Sequence, residues 1–127
     1  MADFRACLKT ICTSVEGAVA ATLMGVDGLP VETVEQGGAL NENGDPVDVG
    51  SLLVEYSSVL GQVRRSAQVF AAGGLEEVSI RSERLTTIIR PVTDEYFLAL
   101  ALLPTANFGK GRYLLRLHAP GLVSDLS

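Results

Sequence analysis

Side chains suited to nucleophilic or metal chemistry are few in this chain of 127 residues. Cys7 and Cys12 lie five residues apart, and His118 is the only histidine. On a helix this spacing turns the two cysteines about 140° apart, so they cannot form a disulfide within one helix. Two such cysteines and one histidine do not make a tetrahedral zinc site. A Cys–His nucleophile stays open as a minor alternative, because its partners need only be close in space.

A second chemical candidate is a phosphate-binding loop at 109–111, with the sequence Gly-Lys-Gly. The full pattern requires an earlier glycine and a Ser or Thr directly after the lysine, whereas Gly111 follows Lys110 here. We therefore interpret these residues as the first turn of the last helix, where Lys110 and Arg112 favour an acidic partner. No segment combines a nucleophile, a base and an oxyanion donor. The sequence predicts a protein that is not an enzyme and that needs neither a metal nor another cofactor.

Composition limits the class of protein. With 47% hydrophobic and 20% charged residues, residues 1–127 are predicted to form one globular domain. The net charge of -5 argues against nucleic acid as a partner and against docking to an anionic membrane. The longest apolar run, 96–104, is strand-sized, so we expect no membrane insertion. The N-terminus lacks the pattern of a secretory signal and the cysteines suit a reducing compartment, which together predict a cytoplasmic protein.

Hydrophobic periodicity predicts the element order α-β-β-α-β-β-β-α. Segments 18–24 and 96–103 are apolar almost throughout, as is typical of strands buried on both faces, so they belong in the centre of a sheet. Pro30 cannot donate to a neighbouring strand and places the strand 29–35 at one edge. The half-polar strand 76–82 is predicted for the other edge. Candidate N-caps of the three helices are Asp3, Asp48 and Asn107. The predicted fold class is α+β, a single domain with a five-stranded antiparallel sheet and helices on both faces.

The helix predicted over 49–70 has two stripes of residues and is expected to stop before Gly73-Gly74. The first stripe has the spacing of a core-facing helix and consists of Val49, Leu52, Leu53, Tyr56, Leu60, Val63, Ala67 and Phe70. The second stripe lies roughly 100° further round, is small and nearly uncharged, and consists of Gly50, Val54, Ser57 and Gly61. Small side chains let another backbone approach closely, so this small-residue stripe predicts contact with a second subunit. An accident of composition is the alternative, since periodicity alone does not prove a partner.

An Asp-Gly turn is predicted to reverse the chain between the first two strands. Val26 and Leu29 flank it, where a turn that only reverses the chain would more often carry polar residues. Two interpretations stay open: the two side chains fold back onto the first helix or the sheet end, or they form an exposed apolar anchor beside a carboxylate. The predicted partner-binding residues are Val26, Asp27 and Leu29.

Three segments resemble the Roadblock/LC7 domain family. LEEVSIRSERLTTIIRPVTDEYFLALAL is similar to the third to fifth strands of these domains, and ANFGKGRYLLRL resembles the start of their last helix. ATLMGVDGLPVET resembles their first hairpin. The resemblance covers nearly the whole chain and points to the compact bacterial Mgl-type members of polarity and gliding-motility systems, closer to the adaptors than to the activators among them. Pro120-Gly121 departs from the uninterrupted last helix of many members.

The resemblance implies a profilin-like fold and a homodimer in which the long helices pair and two edge strands, carrying Val78 and Ile80, join into one sheet. It also implies binding to a Ras-like GTPase, to another Roadblock-domain regulator, or to both. The predicted function is a non-catalytic adaptor or regulator in a small-GTPase circuit of cell polarity or gliding motility. One alternative is a GTPase-activating protein that orders the loops of the GTPase itself, since no arginine lies in a recognisable finger motif. A small-ligand sensor is a further alternative, although the central strands supply only Thr22 and Tyr96 as polar groups.

Overall fold

A five-stranded antiparallel sheet is the centre of the computed structural model, which describes residues 3–126. Its strands are β1 (Ala18–Gly25), β2 (Pro30–Glu35), β3 (Val78–Arg81), β4 (Thr86–Pro91) and β5 (Tyr96–Leu102). Their order across the sheet is β2-β1-β5-β4-β3. Every residue of β1 is buried, as is all of β5 after Tyr96, which confirms that the two apolar strands are central. The strand that begins with Pro30 and the half-polar β3 form the two edges, as predicted.

Three long helices cover the sheet: α1 (Phe4–Ser14), α2 (Val49–Val69) and α3 (Phe108–His118). Each begins at its predicted cap, since side-chain oxygens of Asp3, Asp48 and Asn107 accept the N–H groups of Ala6, Ser51 and Lys110. A 3₁₀ turn (Ala119–Leu122) and a short helix α4 (Val123–Leu126) follow α3. Pro120 ends α3 because it has no N–H to donate and its ring clashes with the preceding turn. The predicted order of elements is confirmed, with these two short elements added at its end.

Hydrophobic cores lie on both faces of the sheet, because successive side chains of a strand point to opposite sides. The core under α1 and α3 includes Leu8, Ile11, Leu23, Ile88, Leu98, Leu100 and Leu115. The core under α2 includes Met24, Val49, Leu53, Leu60, Ile89 and Phe97. The predicted α+β architecture with helices on both faces is therefore confirmed.

The end of α2 differs from the prediction. The helix stops at Val69 rather than running through Phe70 towards Gly73-Gly74. Ala71 takes the left-handed conformation, with φ of 53°, that usually selects glycine at a helix end. Backbone bonds from Ala71 N to Gln68 O at 3.1 Å and from Ala72 N to Ala67 O at 2.8 Å close this turn.

Gly111 explains the run Gly-Lys-Gly in structural terms. A Cβ at this position would lie 3.2 Å from side-chain atoms of Ile88, Leu100 and Leu102, tighter than ordinary van der Waals contact. The missing side chain lets α3 pack directly on the sheet. The interpretation of 109–111 as the first turn of the last helix is therefore confirmed.

Candidate interaction surfaces

The small-residue stripe of α2 lies, at its centre, against the chain's own β1–β2 turn. Ser57 is only 4% exposed, and its hydroxyl donates to Val54 O at 2.6 Å. A Cβ on Gly28 would lie 3.4 Å from both the Ser57 Oγ and the Val54 Cγ1. Ser57 is therefore an interior residue of the protomer, which corrects its place in the predicted dimer surface.

The rest of the stripe faces the β2 side of the molecule. Gly50 and Val54 line a cavity of about 350 Å³ together with residues of β1 and β2. Gly61 lies further along the same flank of α2 and is half-buried. Val78 and Ile80 lie on β3, at the opposite edge of the sheet. The two halves of the predicted dimer interface therefore do not form one continuous patch in the protomer.

The opposite flank of α2 presents an apolar row. At about 100° per residue, its members fall within a sector of about 60°. They are Leu52, Tyr56, Val59 and Val63 of α2, followed by Phe70 at the C-cap of the helix. Leu52, Tyr56 and Val78 of β3 all pack partly against the core under α2. Val59 is 43% exposed and Phe70 is 83% exposed, so the prediction that Phe70 faces the core is wrong.

Strand β3 continues this apolar row at the edge of the sheet. It pairs with β4 alone, so in the described part of the chain its outer backbone groups have no partner strand. Val78 and Ile80 are half-buried and point to the α2 side, whereas Ser79 and Arg81 point to the other side. We call the apolar row of α2 together with Val78 and Ile80 the α2–β3 surface. An apolar row beside an open strand edge is suited to pairing with a second copy of itself.

The two residues that flank the β1–β2 turn behave differently, so each of the two interpretations holds for one of them. Val26 donates its N–H to Glu95 O at 2.8 Å and packs partly against the core under α2. Asp27 closes the turn, because its Oδ1 accepts the Leu29 N–H at 3.0 Å. A Cβ on Gly25 would meet the Asp27 carboxylate, so a larger residue there would displace the side chain that closes the turn. Val26 folds back onto the body of the domain, while Asp27 and Leu29 are exposed.

A shallow cavity of about 370 Å³ lies beside this turn. Its lining includes the exposed Leu29, Pro30 and Val31 on one side, with Tyr96 and Glu95 on the other. Leu29 is 67% exposed. An apolar side chain beside a carboxylate and a shallow cavity is the composition of a protein-binding hot spot.

The side chains considered for catalysis have properties that disfavour it. Burial raises the pKa of the Cys7 and Cys12 thiols, which lowers the fraction of nucleophilic thiolate at neutral pH. Residues 3–126 contain no group of three or more His, Cys, Asp or Glu side chains placed to hold a metal ion. Over the same residues, no helix combines the length and the hydropathy needed to cross a membrane.

The buried hydroxyl of Thr22 in β1 is occupied within the protein, whereas Tyr96 of β5 lines the shallow cavity beside the β1–β2 turn. The Thr22 hydroxyl contacts Glu32 O at 3.0 Å and the Thr33 hydroxyl. No buried side-chain nitrogen or oxygen among the described residues lacks a hydrogen-bond partner. A small-ligand site would need several polar groups that converge on a cleft and are free to bind, and Thr22 is not free.

Comparison with solved structures places this geometry in a family. A Roadblock/LC7 domain from Streptomyces avermitilis has the same fold, with a TM-score of 0.80 and 14% identity over 98% of both chains. MglC from Myxococcus xanthus is 39% identical over 96% of this chain and 98% of that chain, with a TM-score of 0.65. This chain is a Roadblock/LC7 domain protein of the Mgl type. The gliding protein MglB from Thermus thermophilus shares the fold of this Roadblock domain, with a TM-score of 0.78 and 18% identity over 94% of this chain and 85% of that chain. No family model matches the sequence, and no curated protein matches it either.

The segments that carry the resemblance form the elements expected of a Roadblock domain. The first segment spans β3 to β5, the second opens α3, and the third forms the β1–β2 hairpin. The break at Pro120-Gly121 is present as the 3₁₀ turn after α3.

Proposed function

We propose that this Roadblock domain is a non-catalytic, homodimeric adaptor or regulator in a Ras-like small-GTPase circuit of bacterial cell polarity or gliding motility. Its partner is a Ras-like GTPase, another Roadblock-domain regulator, or both. The observation that carries the proposal is the exposed α2–β3 surface, which leaves an apolar row and an open strand edge on a single protomer. The 39% identity to MglC supports the choice of circuit.

Self-association through the α2–β3 surface would bury the apolar row and pair the open strand edge at the same time. Two β3 edges related by a two-fold axis can pair as antiparallel strands, and the two α2 helices then lie side by side. Burying side chains such as Val59 and Phe70 contributes roughly 1.5–3 kcal/mol each before entropy losses. A helix-plus-strand contact of the standard ~1,600 Å² would suffice for a stable dimer. The small-residue flank with Gly50, Val54 and Gly61 is the alternative dimer surface.

The partner is proposed to bind at the β1–β2 turn through Asp27 and Leu29, with Val26 holding the turn in place. This turn adjoins β2, at the edge of the sheet opposite β3. A dimer formed through β3 therefore leaves both copies of the turn accessible. An adaptor requires this arrangement, since it binds a partner while remaining assembled.

Arg64 is engaged within the domain, which disfavours its use as an arginine finger that activates GTP hydrolysis. Arg64 of α2 is directed to the turn before β5, where its guanidinium donates to Asp94 O at 2.6 Å and to Thr93 O at 3.4 Å. These bonds hold it within the protomer. An activating arginine must instead reach the phosphates of a bound nucleotide.

Binding and turnover measured with purified proteins test the proposal. The full chain is titrated with the Ras-like GTPases of its own organism, loaded with GDP or with a non-hydrolysable GTP analogue, and with the other Roadblock proteins of that organism. We expect binding to one of these classes, no rise in GTP hydrolysis, and neither tight GTP binding nor GTP hydrolysis by the chain alone. Failure to bind either class contradicts the proposal, and stimulated hydrolysis replaces the adaptor with an activator.

A further inference from the structure

A second exposed surface lies across the sheet from α2 and is built by β3, β4 and α3. The chain has a net charge of -5, yet four of its ten lysine and arginine residues converge here. They are Arg81, Arg90, Arg112 and Arg116. Residues at alternate positions of a strand share a face, so Arg90 lies on the same side as Ile88, which belongs to the core under α1 and α3. Arg112 and Arg116 are one turn apart on α3.

Aromatic rings alternate with these guanidinium groups. The Arg81 Cζ lies 4.3 Å from the centre of the Phe108 ring, and the Arg112 Cζ lies 5.7 Å from the same ring. The Arg116 Cζ lies 5.9 Å from the centre of the Tyr113 ring, and Tyr113 is 52% exposed. Stacking on a ring holds a guanidinium in a defined orientation while leaving its N–H groups free to donate.

Most of these charges lack a carboxylate partner. Arg112 donates through Nε to both carboxylate oxygens of Glu77, at 2.8 and 3.0 Å. Within residues 3–126, no carboxylate lies within 4.0 Å of Arg81, Arg90 or Arg116. Arg90 is half-buried in the wall of a cleft of about 190 Å³ that Glu76 and Glu77 also line, although neither carboxylate pairs with it. Glu77 is engaged by Arg112, so an incoming carboxylate would supply Arg90 with a charge-assisted partner of its own.

We propose that this surface, the Arg–aromatic surface (Arg81, Arg90, Phe108, Arg112, Tyr113 and Arg116), docks a short acidic segment of another protein. Carboxylates of the segment pair with Arg90 and Arg116, whose planar guanidinium groups accommodate two parallel hydrogen bonds to one carboxylate. An apolar side chain of the segment packs on the exposed ring of Tyr113 and on Leu117, which is 55% exposed. The site lies across the sheet from α2 and apart from the β1–β2 turn, so it is additional to the function proposed above.

Charge distribution favours a short protein segment over a larger polyanion. Exposed charges are screened beyond about 8–10 Å at physiological salt, so a short segment experiences mainly the local arginines. A nucleic acid or an anionic membrane would also extend over the rest of the chain. Without these four arginines that remainder is more negative than the net charge of -5, so it would repel a large polyanion.

Fluorescence anisotropy with a labelled synthetic peptide of repeated Glu-Glu-Leu-Phe units tests the proposal on the full chain. The test variant is Arg90→Glu with Arg116→Glu. The matched control is Lys9→Glu with Arg65→Glu, which changes the net charge equally at exposed positions outside the surface. We expect the unmodified chain and the control to bind the peptide, and the test variant to bind at least about tenfold more weakly. Equal affinities of test and control variants would overturn the proposal.

A second variant and two competing probes distinguish loss of the site from loss of folding and from binding of another polyanion. Arg90→Gln with Arg116→Gln removes the charges without reversing them, and it replaces the test variant if the glutamates prevent folding, as judged by circular dichroism. Vesicles containing phosphatidylserine and a single-stranded oligonucleotide serve as competing probes. Arginine-dependent binding to either one without binding to the peptide would overturn the proposal. We expect the arginine variants to keep the mass of the dimer and to bind the GTPase or regulator normally. This result would distinguish the Arg–aromatic surface from the function proposed above.

Discussion

Gly28 in the β1–β2 turn lies directly against Ser57 of α2, and a Cβ on the glycine would be 3.4 Å from the serine Oγ. Gly28 also has φ of +89°, a conformation that side chains strongly disfavour. The contact fixes the position of the turn that carries Asp27 and Leu29 relative to the long helix. The proposed partner site is thereby anchored to α2, on the flank that faces away from the α2–β3 surface.

Gly28→Val is expected to destabilise the protein through two effects. A valine here would hold its backbone in a strained conformation, and its methyl groups would extend into the space of Ser57 and Val54. Gly37→Val is the matched control, because Gly37 has φ of +68° but no atom within 4 Å of its Cβ position. Overpacking should make the Gly28 variant less stable than the control by about 1–3 kcal/mol in urea denaturation. Equal stabilities would show that the turn does not pack tightly on α2.

Val59→Glu is expected to convert the dimer to a monomer. The substitution places a charge within the apolar row of α2, where pairing would bury it without a partner. A loss of about 3 kcal/mol corresponds to a dissociation constant more than about 100-fold higher. Size-exclusion chromatography with light scattering measures the mass over a range of concentrations.

Gly61→Glu places the same charge on the other flank of α2 and serves as the control for this prediction. We expect this variant to remain a dimer. A monomeric Gly61→Glu protein combined with a dimeric Val59→Glu protein would move the interface to the small-residue stripe. A monomeric unmodified chain would reject both dimer surfaces.

Asp27→Ala combined with Leu29→Ala is expected to weaken partner binding strongly and to leave the dimer intact. The Leu29 side chain is exposed, so its loss falls mainly on the complex, whereas the loss of Asp27 also removes the acceptor of the Leu29 N–H within the turn. Removing a buried leucine contact of roughly 1.5–3 kcal/mol weakens binding about 10- to 100-fold. Isothermal titration calorimetry with the identified GTPase or regulator measures this change.

Two further variants serve as controls for that result. Leu40→Ala removes another exposed leucine, which is 54% accessible and lies outside the turn, and it should bind the partner normally. Adding Val26→Ala to the pair should also lower the thermal midpoint, because Val26 packs partly against the core. Unchanged affinity in the double variant would place the partner elsewhere on the domain.

The N-cap of α2 predicts a pH-dependent contribution to stability. Asp48 accepts the Ser51 N–H at 3.1 Å through Oδ1 and the Ser51 hydroxyl at 2.8 Å through Oδ2. The backbone bond first, and then the hydroxyl bond, hold the pKa of Asp48 below its usual value. Because the folded-state pKa is the lower one, this stabilisation is complete above the unfolded-state pKa and is lost as pH falls through the folded-state value.

Asp48→Asn tests this linkage, since asparagine also caps helices but does not titrate in the acid range. The variant should be less stable than the unmodified chain at neutral pH, and the difference should close as the pH falls below the range of the carboxylate. Thermal unfolding followed by circular dichroism across the acid range provides the measurement. A difference that stays constant with pH would show that the ionised carboxylate adds nothing to the cap.

Local chemistry determined much of the fold directly from the sequence. Apolar runs without alternation identified β1 and β5 as central, because only burial on both faces removes the need for polar residues. Pro30 fixed one edge because proline lacks an N–H. Asp48 and the other caps marked helix starts, since each cap bonds to an N–H group three residues along the chain.

The surfaces of α2 were decided by tertiary structure. Helical spacing gives the angle of each residue around the axis but not the neighbour that covers it. Ser57 is buried because the β1–β2 turn reaches it, and Phe70 is exposed because the buried positions of α2 end at Leu60. The Arg–aromatic surface arises in the same way. Arg90 and Arg116 line one cleft, and Arg81 reaches the Phe108 ring, only because β3 pairs with β4 and α3 packs across the same face of the sheet.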